Sequence, residues 1–91
     1  MKKPTTVDNP LRNIQAFVDG THGQITIGEI PPIRGAVLAA EGKKVRVALL
    51  RREKESVSDL LLRLDAALEK AISSDTVIDE VLPEIQRRRS R

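Results

Sequence analysis

Cysteine, tryptophan and tyrosine are all missing from this 91-residue chain, and histidine occurs once. Without thiols no disulfide can brace the fold, and one histidine cannot complete a transition-metal site of the usual kind. Phe17 is the whole aromatic inventory, which removes the stacking platforms on which binders of single-stranded nucleic acid rely. Long apolar runs are lacking too. No stretch approaches the roughly 18 residues of a membrane span, and Lys2 and Lys3 precede a polar segment rather than the core of a secretory leader. A cytoplasmic protein without membrane contact or cofactor is expected. The charge of one sign is also modest: the formal net charge is +3, compatible with an acidic partner without demanding one.

What remains is a small Ile, Leu, Val and Ala core. One domain of this length buries a limited share of its surface, and association with a protein partner or a second copy is the expected aid to stability. Residues 1–9 are polar and aperiodic and are expected to form a flexible tail. A single domain is expected over 10–82, followed by a basic tail over 83–91.

The strongest pattern is Ser56 to Ile72. Val57, Leu60, Leu61, Leu64, Leu68, Ala71 and Ile72 fall on one stripe with helical spacing, and Ser56 or Ser58 is placed to cap it, with Asp59 near its positive end. Before it, Ala36 to Glu41 and Val45 to Arg51 flank Gly42-Lys43-Lys44 and predict an antiparallel hairpin. In the second strand Val45, Val47 and Leu49 alternate with Arg46, Ala48 and Leu50. Gln24 to Ile27 reads as a further strand after a glycine-rich turn at Asp19 to Gly23. Residues 10–19 fit either a helix framed by Asn9, Pro10 and Gly20 or a strand. The Pro31-Pro32 pair makes 30–35 a rigid connector outside the sheet. Thr76 to Leu82 fits an extended segment or one helical turn, with Pro83 opposing a continuous second helix. The expected architecture is α+β: a small antiparallel β-sheet of three or four strands with one long amphipathic helix packed on one face.

Chemistry is sparse. His22 sits in the turn beside Asp19 and Thr21, an arrangement that reads as a solvated turn rather than a base with its orienting carboxylate. Asp65 and Glu69 lie one turn apart, on the side expected to face solvent. No catalytic, cofactor-binding or metal residue is assigned, and neither enzymatic activity nor a small-molecule substrate is expected. A basic group around the hairpin (Lys43, Lys44, Arg46, Arg51, Arg52, with Lys54) and another in the tail (Arg87, Arg88, Arg89, Arg91) are the candidate nucleic-acid contacts. Ala48 and Leu50, with Ala39, Thr26 and Gly28 on neighbouring strands, form a flat, weakly charged surface suited to self-association.

Two resemblances accompany these residues. The order KVRVALL, DLLLRLDAALEKA and DTVIDEVLPEIQRR resembles the ribbon-helix-helix family, which implies DNA reading through Lys44, Arg46 and Ala48. The chain departs from that family's pattern in the Arg51 to Ser58 link and at Pro83. Over its C-terminal half, ALLRREKESVSDLLLRLDAALEKAISSDTVIDEV is similar to small proteins of bacterial integrative and conjugative elements. There an arginine, an acidic-Ser turn, LLxRLDxAL and a later Asp-Glu followed by an aliphatic residue recur. That resemblance implies a bacterial mobile-element context and carries over no functional residue. The function expected is therefore a non-enzymatic accessory protein acting through a protein–protein surface, or alternatively a DNA-binding regulator.

Overall fold

The structure is a computed structural model that describes residues 9–30 and 33–89. Residues 1–8, the Pro31-Pro32 pair, Ser90 and Arg91 lie outside the described part, and with them most of the expected N-terminal tail. The chain is α+β, as its patterns predict. Helix α1 (Arg12–Thr21) leads into strands β1 (Gln24–Ile30), β2 (Ile33–Glu41) and β3 (Lys44–Leu50). The long helix α2 (Val57–Ser74), a two-residue strand β4 (Ile78–Asp79) and helix α3 (Val81–Arg89) complete the fold. The sheet has the order β1-β2-β3-β4. Its first three strands are antiparallel neighbours, and β4 joins β3 in parallel through Ile78 and Asp79.

The predicted hairpin is present, with Glu41 paired to Lys44 and Gly42 at φ 60° in the turn. The other half of the sheet departs from expectation. Ile30 pairs with Ile33, so strand pairing occupies most of the segment expected to be a connector. The missing proline donors restrict positions 31 and 32 alone, and Arg34 and Gly35 lie inside β2.

Residues 10–19 resolve in favour of the helix. Asn9 accepts from the Leu11 amide through Oδ1 and donates to Gln15, which sets up the first turn. Helix α1 continues one residue beyond Gly20 and ends on His22 in the left-handed conformation, with Gly23 N–H donating to Phe17 O. Gly23 is required here because a Cβ would lie 2.2 Å from the Phe17 ring. Phe17 can therefore seat fully in the core.

The main core lies between the sheet and α1 with α2. Phe17, Val37, Ala39, Val47 and Leu49 meet Leu60, Leu64, Leu68 and Ala71, all buried. The centre of the predicted stripe thus faces the sheet, while its ends, Val57 and Ile72, remain about half exposed. Full burial of a leucine such as Leu64 contributes about 1.5–3 kcal/mol. Ser56 caps α2 by accepting from the Asp59 amide at 3.0 Å.

A bulge in β3 changes the facing of two residues. Ala39 pairs with Val47 but Ala40 pairs with Val45, which leaves Arg46 as the extra residue. Val45, expected beside Val47, consequently joins the opposite face with Ala48 and Leu50. That second face is not bare. Helix α3 crosses it, and Val81 and Ile85 pack on Ala36, Leu38, Val45, Ala48 and Leu50. Pro83 does not prevent the helix, because it occupies the first turn, where its absent N–H is no loss. Asp79 Oδ1 accepts from both the Val81 and Leu82 amides and caps that turn. The expected tail from residue 83 therefore begins inside a packed helix.

Candidate interaction surface

A polar hub fixes how the sheet is closed at one end. Arg63, on α2, donates to both carboxylate oxygens of Glu55 at 2.9 and 3.0 Å, to the Leu50 carbonyl at 2.6 Å, and to Glu80 at 3.4 Å. Glu80 in turn accepts from the Leu50 amide at 2.9 Å and donates its own N–H to Ala48 O at 2.7 Å. Glu55 also accepts from the Arg52 amide. The Arg63 bond, aided by that amide, lowers the Glu55 carboxyl from 4.5 to about 2. Arg63 is shifted upward by the same partner against the cost of its partial burial. The hub joins the end of β3, the loop before α2, α2 itself and the start of α3.

A second tie runs from α2 to α1. Asp65 is only 6% exposed, contrary to the solvated position expected for it. Its Oδ1 accepts from the Ile14 amide at 2.8 Å and its Oδ2 from the Asn13 side chain at 2.9 Å. Leu11 supplies no side-chain cap to α1, and Asp65 fills that role from another helix. Glu69, one turn further along, is exposed as expected. Arg63 and Asp65 were missed as structural residues because both sit within a run that reads as a solvated helix flank.

The basic residues are not brought together. Lys43 and Lys44 lie at the hairpin turn, Arg51 and Arg52 at the other end of β3, some 20 Å away at about 3.3 Å per residue. Arg46, between them, is tucked in with its side chain 11% exposed, near Glu41 and Asp75. Arg51 donates to the Glu55 carbonyl. Arg87 pairs with Glu84 on α3. The backbones of Arg88 and Arg89 belong to α3, and their side chains, like Arg91, lie outside the described part. Strand β3 is an inner strand, and Ala48, one of the three residues through which the ribbon-helix-helix resemblance implies DNA reading, is buried.

The expected self-association residues are divided as well. Ala39 faces α2 in the main core, whereas Ala48 and Leu50 lie on the opposite face beneath α3. The residues expected to form one flat self-association surface, sheet-to-sheet or edge-to-edge, therefore do not share one open face. His22 is an exposed helix cap. Among the described residues no group of three or more His, Cys, Asp or Glu could hold a metal ion, and no helix is long and apolar enough to cross a membrane.

Among the described residues, the edge left without a neighbouring strand over any length is that of β1. Both faces of the sheet carry helices, and β4 at the far edge is two residues long. Strand β1 is a seven-residue edge whose first five residues, Gln24 to Gly28, carry no charge and no proline, while Glu29 and a register irregularity between Gly28 and Ile30 blunt only its C-terminal end. Ile27 on this strand is 41% exposed. A separate shallow apolar cleft lies between Pro10, Leu11, Ser58, Leu61 and Leu62. Comparison with protein-family models, with characterised proteins and with solved structures finds no match.

Proposed function

We propose that this chain is a non-enzymatic protein-interaction module that recruits an extended segment along the open edge of β1. The observation that carries this reading is the uncharged Gln24 to Gly28 edge, unpaired on its outer side among the described residues, beside inner strands whose two faces carry helices. Main-chain hydrogen bonds supply affinity in such strand addition, and alternate side chains supply selectivity. Within the same reading the protein is a cytoplasmic bacterial accessory factor of a mobile element. The split of Lys43 and Lys44 from Arg51 and Arg52 makes them solubilising charges rather than one phosphate-binding patch.

Selection of extended peptides from a displayed random library tests this. Winners should read as alternating apolar strands and should weaken at least about tenfold against Ile27→Lys, a loss of about 1.4 kcal/mol. A library without winners, or winners indifferent to Ile27→Lys, overturns the reading. Tight, salt-sensitive and sequence-selective retention of DNA by the intact chain would do so as well.

A further inference from the structure

We infer that the segment received by the β1 edge is β1 of a second copy of this chain, paired antiparallel about Thr26, which deepens the strand-addition reading of the same edge. The strand reads Gln24-Ile25-Thr26-Ile27-Gly28, and its centre, Ile-Thr-Ile, is the same in both directions. Antiparallel pairing of two copies with Thr26 opposite Thr26 therefore sets Ile25 against Ile27 of the second copy, twice over. Both isoleucines lie on the sheet face that bears α1 and α2, since Ile25 pairs with Ala39 and Ile27 with Val37, members of the main core. Ile25 already packs against that core, whereas Ile27 is the exposed one. The pairing extends the core across the two-fold axis and covers Ile27.

On the other face Thr26 meets Thr26, a favourable cross-strand pair for two hydroxyls that can bond one another. Gly28, with no atom near its Cβ direction, faces Gln24 of the second copy and leaves room for its longer side chain. No like charges are opposed within this register, because Gln24 to Gly28 carries none. A register shifted by one residue would put the isoleucines of the two copies on opposite faces of the sheet, and a shift by two would set Ile25 against Glu29. The same two-residue periodicity that orders β1 against β2 thus selects one self-pairing over its neighbours.

The contact is isologous and closes as a dimer with one continuous eight-stranded sheet. Two short strands with two flanking isoleucine pairs bury less than the roughly 1,200 Å² of standard stable interfaces. The dimer is consequently dissociable, and its mass should double across a micromolar concentration series.

Because the chain contains no cysteine, the register can be tested directly. Thr26→Cys places two thiols at Cα separations of about 4.5–5.5 Å, the spacing of opposed residues in antiparallel strands, inside the roughly 4.4–6.8 Å a disulfide accepts. Under mild oxidation Thr26→Cys should form a covalent dimer at least about tenfold faster than Lys43→Cys at the exposed hairpin turn. Ile27→Lys should hold the chain monomeric with an unchanged circular dichroism spectrum. A wild-type chain that stays monomeric to high micromolar concentration, or a Thr26→Cys variant no faster than Lys43→Cys, overturns self-pairing. If selected peptides still bind in an Ile27-dependent way, the edge serves a different protein. If they do not, the strand-addition reading falls with it.

Discussion

Replacing Asp65 with alanine tests the most consequential side chain that the sequence disguises. The carboxylate is buried and accepts two hydrogen bonds, from the Ile14 amide and from Asn13. Loss of a helix cap costs about 0.5–2 kcal/mol. Leaving buried donors without a partner costs about 1–3 kcal/mol, more where the lost partner was charged. Alanine returns up to about 0.7 kcal/mol through its better helix propensity. The two losses share one carboxylate and overlap, so the net expectation is about 2–3 kcal/mol of destabilisation. In urea, with a slope of about 1 kcal/mol per molar for a small domain, the midpoint should fall by about 2–3 M. Far-ultraviolet circular dichroism follows this unfolding without tryptophan. Glu69→Ala, exposed on the next turn, is the reference and should move the midpoint little. The reasoning is refuted if the two variants unfold together, because α1 would then not depend on a cap supplied by α2.

Two further outcomes follow from the same contacts. Glu55 has its pKa lowered from 4.5 to about 2, so its contribution is complete above 4.5 and disappears as pH falls towards 2. Glu55→Gln should accordingly be less stable than wild type near neutral pH, with the gap in urea midpoint closing on acidification; a constant gap would deny the Arg63 link. Gly20 in α1 and Gly23 just after it should respond oppositely. Gly23→Ala drives a methyl into the Phe17 ring and should destabilise strongly, whereas Gly20→Ala has open space within α1 and should stabilise by about 0.5–1 kcal/mol. Thermal midpoints of both variants decide this, and a tolerated Gly23→Ala would mean Phe17 is seated differently.

The parts of the fold legible in the sequence are those written in local periodicity. The α2 stripe, its Ser56 cap, and the hairpin around Gly42 are set by residues within a few positions of one another. Where one residue outweighs the period, the reading slips. Arg46 as an extra residue in β3 moves Val45 to the other face, and nothing in KVRVALL marks that insertion. Asp65 looks like a solvated flank because its partners lie 51 and 52 residues away in sequence. Helix α3 was obscured by Pro83, whose effect on Leu82 reads as a break but falls in a first turn already capped by Asp79. The candidate edge was half visible: Gln24 to Ile27 reads as a strand, yet edge position depends on the order of all four strands.

The residues behind the mobile-element resemblance take on a physical meaning in this arrangement. Its acidic-Ser turn is Glu55-Ser56, its LLxRLDxAL contains Arg63 and Asp65, and its later Asp-Glu-aliphatic is Asp79-Glu80-Val81. In this chain they cap α2, tie β3 to α2 and α3, cap α1, cap α3 and bury its first apolar anchor. Ser56 and Asp79 cap their own helices, Asp65 ties α2 to α1, Arg63 and Glu80 tie α2 and the start of α3 to β3, and none of them lies on β1. In this chain those residues build the scaffold. Selectivity for a partner, on the strand-addition reading, resides in Gln24 to Gly28, outside it. A chain with the same pattern but a different first strand is expected to keep this architecture and to change what it pairs with.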